Sequence, residues 1–443
     1  MDSEQRERLA QRVLERAAGG ETEVMVAWSS SELTRFTHNA VHQNVADADV
    51  VVKVRSIVEK RTGVASTNLL DDASLDAVVR RASEIARLAP QDAGQPELPR
   101  GGAAKTPEGA FMSTTAAATP EQRAQMADAI FRVAEHHGYW CAGFVTTSCG
   151  GVTIANSLGA RASFDGTDSG VNVKMNAADS TGFGEGYDTD VRGLDAHEIA
   201  SRSAAKAKDS AAPRSVEPGE WTVILEPAAF GELVSYLADH FSAQSVEEGS
   251  SFLCDGMDKR YFSEGVTLSD DYAHPLNPGM PFDFEGQPTQ RLALVENGIA
   301  RAFVTDSYYA ARMKRENTGH ALPAPNAYGP QATHLVIGHG SKPINELIAE
   351  TKRGLLVTRF WYIRTVDQKK AIVTGMTRDG TFLIENGEIT GGVRNLRFNQ
   401  SIIEALARCE LGNALHRTGG YSYSLVAPAA KIEGFRFSSG TDF

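Results

Sequence analysis

The chain has 443 residues, enough for two or three domains with cores of their own. Hydrophobic residues make up 42% and charged residues 23%, the balance of an ordinary folded protein. A net charge of −12 with no basic stripe argues against a nucleic-acid or anionic-membrane binder, and no apolar stretch approaches the ~20 residues of a membrane span.

The N-terminus, Met1-Asp-Ser-Glu-Gln-Arg6, is charged and has no apolar run behind it, so no signal peptide is expected. Leu9, Val13, Leu14 and Ala17 line one side of a helix over 5–18, which Gly19-Gly20 ends. Val24, Met25 and Val26 centre a strand over 22–29. Ser30-Ser31-Glu32 reads as a turn, and 33–39 returns from it. The β-branched run over 49–58 predicts a strand, Arg61-Thr62-Gly63 a turn, and 64–67 more of the sheet. Leu75, Val78, Val79, Ala82, Ile85 and Ala86 recur at the helical period over 72–88. Helix, strands, helix is the pattern of an α+β unit. Residues 89–119, rich in Pro, Gly and Ala, read as a connector.

A helix over 121–137 follows. Strands over 140–147 and 152–155 flank Cys149-Gly150-Gly151, and an alternating strand runs over 161–175 after a turn at Asn156-Ser-Leu-Gly159. Residues 182–193 read as a Gly/Asp loop and 195–209 as a helix. Pro213 and Pro218-Gly219 then mark the boundary between an N-terminal α+β domain over 1–212 and a β-rich C-terminal domain over 219–443.

The C-terminal domain opens with a short buried strand over 223–225, which runs into a helix over 227–248. Phe230, Leu233, Val234, Leu237 and Phe241 form its apolar stripe, and Gly249 stops it. Its far face carries Glu232, Ser235, Tyr236, Asp239 and His240, with Tyr236 and His240 one turn apart. Asn297-Gly298 and Asn386-Gly387, each between apolar runs, predict two β-hairpins. Short helices are expected over 307–315, 345–351 and 401–408. The fold class is α+β, its second domain mostly antiparallel strands around a buried central helix.

Chemical motifs are sparse. His197-Glu198 begins like H-E-x-x-H, but Ser201 stands where the second ligand belongs, so both read as exposed helix residues. His334 and His339 point to opposite faces of a regular strand, and His136-His137 sits at a helix end, which suits a cation. Glu247-Glu248 reads as a solvated helix end. No nucleophile elbow, Walker loop or dinucleotide fingerprint occurs, and Gly182-Phe-Gly-Glu-Gly186 lacks the context of a phosphate cradle. Cys141, Cys149, Cys254 and Cys409 show no C-x-x-C spacing and are expected to be reduced thiols of a cytoplasmic protein.

A set of segments resembles the TldD/PmbA family. Thr34-Arg35-Phe36, Arg61-Thr-Gly-Val-Ala-Ser-Thr-Asn68 and Ile85-Ala-Arg-Leu-Ala-Pro90 are similar to its N-terminal domain. Gln287-Pro-Thr-Gln290, Leu294-Val-Glu-Asn-Gly298, Tyr308-Tyr-Ala-Ala-Arg312, Gly354-Leu-Leu-Val-Thr-Arg359 and the stretches 382–389 and 393–406 are similar to its C-terminal domain. The resemblance runs in order over nearly the whole chain. It implies a cytoplasmic two-domain protein. Catalytic members carry H-E-x-x-x-H on the helix that opens the C-terminal domain, and a cysteine near the C-terminus. These bind zinc, and the glutamate acts as base for the metal-bound water.

This sequence departs from that pattern. Ser235 stands at the first histidine, Tyr236 at the glutamate and His240 at the last histidine. Gly419-Gly420-Tyr-Ser-Tyr-Ser424 stands near the cysteine position, with Cys409 well upstream. The resemblance therefore implies the PmbA/TldE-like branch: a metal-free subunit with no catalytic residue of its own, and no cofactor in this chain. Its partner would be a TldD-like subunit that carries H-E-x-x-x-H and the zinc, in a heterodimer or higher oligomer acting in peptide maturation or turnover. Two other readings stay open. One is a stand-alone or natural-product-pathway peptide or amide hydrolase, using His240 with Ser235, Tyr236 or a nearby carboxylate, or a metal site borrowed across a homodimer. The other is a non-enzymatic peptide-binding module.

Overall fold

The structure is a computed structural model that describes residues 1–102, 104–419 and 424–441. Its first sheet is antiparallel, with strand order β3-β2-β1-β4-β5-β6. The strands are β1 (Glu21–Thr37), β2 (Ala40–Val58), β3 (Arg61–Thr67), β4 (Trp140–Asn156), β5 (Arg161–Asn176) and β6 (Thr181–Asp188). The helices Ser3–Leu14, Asp72–Leu88, Pro120–His136 and Ala196–Asp209 lie close to their expected places. Side chains of Asp2, Asp71, Thr119 and Asp195 cap them by accepting the backbone N–H of the N3 residue.

Four expected breaks in this sheet are absent, each for a tertiary reason. Ser30-Ser31-Glu32 does not turn. It lies inside β1, where Ser30 is registered between Ala48 and Cys149 and Ser31 between Asp47 and Ser148. A strand flanked on both sides satisfies its backbone groups whatever its side chains prefer. The first hairpin turns instead at His38-Asn39 (φ 51° and 56°). The second turns at Glu59-Lys60 (φ 51° and 62°), so Arg61-Thr62-Gly63 belongs to β3. A Cβ at Gly63 would stand 2.2 Å from the Ala82 carbonyl oxygen, so this glycine serves the helix Asp72–Leu88, which lies on it. Cys149-Gly150-Gly151 runs straight through β4, and a Cβ at Gly151 would meet the buried Arg6 guanidinium at 2.4 Å.

The expected Gly/Asp loop over 182–193 begins instead as strand β6. Gly182, Gly184 and Gly186 alternate, so they share one face of the strand. A Cβ at Gly182 would lie 2.0 Å from the Ser203 carbonyl oxygen, and one at Gly184 2.6 Å from that of Ile199. These glycines flatten the strand so that the helix Ala196–Asp209 can lie against it.

The chain beyond residue 212 builds two more sheets. One runs in the order Ile299–Ala300, Leu292–Glu296, Leu268–Asp270, Leu335–Ile337, Leu425–Ala427, His416–Thr418, which leaves His416–Thr418 at an edge. The other has seven strands. Its β7 (Gly219–Leu225) pairs in parallel with Arg353–Asp367 and antiparallel with Ala430–Gly440. Both Asn-Gly hairpins form, with φ 48° and 78° at Asn297-Gly298 and 53° and 83° at Asn386-Gly387. The three short helices expected here form at Ser307–Met313, Ile344–Ala349 and Ile402–Leu406. Among the described residues no helix is long and apolar enough to cross a membrane.

The apolar stripe Phe230, Leu233, Val234, Leu237, Phe241 is wholly buried and joins the largest core. The expected continuous helix over 227–248 is broken, however. It runs from Pro227 to Ser235, continues as the 3-10 turn Ala238–Phe241, and resumes as Ala243–Glu247. Between the pieces Ser242 is extended and bridges to Val304. Val304 N donates to Phe241 O at 2.8 Å and Ala243 N to Val304 O at 3.0 Å. These bonds to a distant stretch of chain replace the helical ones.

Candidate functional site

The helix Pro227–Ser235 presses its Gly231 against the edge strand His416–Thr418. A Cβ there would meet Thr418 Oγ1 at 2.3 Å. The three positions of interest follow, and their side chains diverge. Ser235 Oγ donates back to the Glu232 carbonyl at 2.7 Å. Tyr236 Oη donates across the core to Ile363 O at 2.9 Å. His240, on the 3-10 turn, is 2% exposed and packs on Phe252 with ring centroids 5.3 Å apart. Its Nδ1 is sealed from solvent without a hydrogen-bond partner, and burial lowers the imidazole to about 4. The polar face of this segment is thus largely internal, with Asp239 its exposed member.

These residues do not fit a zinc ion. A zinc site needs three or four nitrogen, sulfur or carboxylate donors converging at ~2.0–2.3 Å. Here one imidazole stands among a serine and a tyrosine whose hydroxyls bond to backbone. Among the described residues no group of three or more His, Cys, Asp or Glu side chains could hold a metal. Of the 419–424 segment, residues 420–423 lie outside the described residues. Cys409 is buried, and burial raises its thiol. His197 and Glu198 are exposed, and Glu198 pairs with Arg202 one turn on, at 2.9 Å.

The chemistry lies instead along the seam where the first sheet meets the rest of the chain. Glu185 on β6 and Glu232 on the helix are both pushed up to about 7, by burial first. The charge of Glu185 adds to the shift of Glu232, and Arg359 works against the shift in both. Glu185 Oε1 is out of reach of solvent and has no partner, while Oε2 accepts from Tyr187 Oη at 3.3 Å. Asp379 anchors the same region. It pairs with Arg359, accepts from Thr181 at 2.9 Å and lies 3.2 Å from Lys174 Nζ. A cavity of about 660 Å³ opens here, walled by β6, the helix Ala196–Asp209 and the edge strand His416–Thr418. Of the two, Glu185 lines that cavity, where a carboxyl titrating near neutrality can exchange a proton with what enters.

Residue-level reading of the sequence missed this arrangement. Glu185 hides in a stretch that its glycines disguise as a loop, and Glu232 looks like a solvated helix residue. A second buried cluster was missed too: His320 Nε2 lies 3.3 Å from Asp270 Oδ1, and the His334 backbone N–H donates to Asp270 Oδ2 at 2.9 Å. Burial works the other way, yet His320 and His334 hold the Asp270 carboxyl below its usual range. His339, by contrast, is exposed.

Residues 218–439, half of the chain, match the profile of the PmbA/TldA metallopeptidase C-terminal domain. Residues 22–86 match domain 1 of that family and 114–211 its central domain. The chain belongs to the PmbA/TldA metallopeptidase family. Among curated relatives, a metalloprotease PmbA homolog from Haemophilus influenzae is 28% identical over 243 residues, 53% of this chain and 51% of that one. A zinc metalloprotease TldD homolog from Saccharolobus solfataricus is 27% identical over 205 residues, 44% of each chain. The chain thus spans about half the length of the curated relatives it matches. Among solved structures, TldE from Thermococcus kodakarensis superposes with a TM-score of 0.88 at 22% identity, covering 98% of this chain and 99% of that one. A Thermotoga maritima structure follows at 0.85 and 19%, covering 98% and 99%. At these identities the likeness is one of fold: this chain has the PmbA/TldA architecture from end to end.

Proposed function

We propose that this member of the PmbA/TldA family is a PmbA/TldE-like, metal-free subunit of a heteromeric metallopeptidase of the cytoplasm. Zinc and the general base would sit on a TldD-like partner that carries H-E-x-x-x-H, and the pair would act on peptides in maturation or turnover. The observation behind this reading is the fate of the three motif positions. Ser235 and Tyr236 spend their hydroxyls on backbone carbonyls, and His240 is buried against an aromatic ring. Restoring one ligand would not assemble a site, because the helix ends at Ser235 and His240 lies on the separate 3-10 turn Ala238–Phe241. A fold likeness to a TldE structure is in keeping with it.

The test is affinity purification of the full-length chain from its source, with mass spectrometry of what accompanies it and metal analysis of the fractions. The expected companion contains H-E-x-x-x-H, and both zinc and peptide cleavage follow that companion. Stoichiometric zinc and peptidase activity in the chain purified alone would overturn the proposal.

A further inference from the structure

Arg55 and Arg417 each carry an ion pair across the seam between the first sheet and the rest of the chain. Arg55 holds two carboxylates on one guanidinium: Nη2 donates to Glu23 Oε2 at 2.7 Å and Nη1 to Glu285 Oε1 at 3.1 Å. Arg417, on the edge strand His416–Thr418, holds one. Its Nη2 donates to Asp168 Oδ2 on β5 at 2.7 Å. The side chain is 8% exposed, and its Nε and Nη1 are sealed from solvent without a hydrogen-bond partner. Nε is unpartnered in Arg55 as well, so the difference between the two lies at Nη1.

A buried charged donor left unmatched is costly, which makes it a strong site for an acceptor that enters. There is room for one. A cavity of about 430 Å³ has Arg417 in its wall, together with Asp168, Asn277, Gly279, Thr333 and His334. Arg417 also lines the 660 Å³ cavity, so a ligand anchored on it can continue along the cleft beside β6. The local charges select the anion. Asp168 already offsets one positive charge, so a dianion such as phosphate would meet a carboxylate with both of its charges. A monocarboxylate meets the arrangement that Arg55 makes within the chain. Burial, with Arg417 adding to it, holds the His334 imidazole below its usual range, so it brings no second cation.

We propose that Arg417 Nη1 is a binding site for a ligand carboxylate, the C-terminal or side-chain carboxylate of an extended peptide. This goes beyond the subunit assignment and needs no partner, so it is tested on the full chain alone. The probe is N-terminally fluorescein-labelled Ala-Ala-Phe-Ala-Ala as free acid and as C-terminal amide, with amidated Ala-Glu-Phe-Ala-Ala as a third arm, read by fluorescence anisotropy. A carboxylate-bearing peptide is expected to bind about tenfold more tightly than the uncharged amide, as a charge-assisted hydrogen bond provides. The arm that shows the preference identifies the carboxylate. Arg417→Met is expected to abolish the preference. Asp168→Asn, which leaves the guanidinium in place and removes its counter-charge, is expected to keep or enlarge it, and it decides the matter should Arg417→Met not fold. The proposal is overturned if neither carboxylate peptide outbinds the amide, if Arg417→Met keeps the preference, or if Asp168→Asn loses it.

Discussion

Glu185 shows how far burial can change what a residue does. A glutamate with an ordinary value of 4.5 is pushed up to about 7 because its carboxyl is walled in. The native state then holds a proton that the unfolded chain releases, so this group lowers stability as pH rises from about 4.5 to about 7. His240, lowered to about 4, acts in the opposite sense: its contribution is lost as pH falls below the ordinary histidine value. The two overlap in total stability, so the informative quantity is a difference. Glu185→Gln is expected to gain stability relative to the parent by ~1–2 kcal/mol between pH 5 and pH 8, levelling off above pH 7. Urea unfolding of both proteins across that range checks it. A difference that does not change with pH would mean that Glu185 is ionised in the fold. Nothing in the sequence around Glu185 announces this, because its burial comes from the edge strand and the helix Pro227–Ser235.

At the scale of elements, glycines decide which surfaces touch. Gly231 lets the helix Pro227–Ser235 reach Thr418, with a would-be Cβ 2.3 Å from its hydroxyl. Gly231→Ala is expected to cost about 1–3 kcal/mol by overpacking, despite alanine's better helix propensity. Thr418→Ala in the same chain should recover most of the loss, and a double-mutant cycle by urea unfolding measures the coupling. Additive effects would show that the helix and edge strand do not press on each other. The stripe of Gly182, Gly184 and Gly186 teaches the same lesson. Three alternating glycines look like a loop in sequence, and become a strand because a helix lies on them. The helix Asp72–Leu88 was legible to the residue, since its own period and caps carry it. The helix over 227–248 was legible as a stripe but not as an element, because one of its two breaks is made by a bridge to Val304, far off in the chain.

At the scale of the whole molecule, the seam joins the first sheet to the rest through buried ions rather than apolar area alone. Arg55, Glu23 and Glu285 have side chains 12%, 6% and 10% exposed. Replacing such a cluster as a set can be neutral, but removing its one cation leaves two carboxylates buried without a counter-charge. Arg55→Met is expected to destabilise the chain by roughly 3–5 kcal/mol, seen as a lower urea midpoint at pH 7. The loss should shrink at pH 5, because without the cation the buried carboxylates take up protons there that the parent does not. A loss of similar size at both pH values would show that Arg55 acts through packing alone.

The sequence by itself determined the α+β class, four long helices, two Asn-Gly hairpins and the apolar stripe over 230–241. All of these rest on local period, turn chemistry or residue identity, which are written in consecutive residues. Tertiary structure alone decided that Ser30-Ser31-Glu32 and Gly182–Gly186 are strand, that the polar face around His240 is internal, and that Arg55 and Arg417 meet carboxylates from across the seam. Those outcomes depend on partners up to 249 residues away, as between Asp168 and Arg417. Burial, and with it the charge state of a carboxyl or an imidazole, is a property of what surrounds a side chain, and no stretch of chain carries its own surroundings.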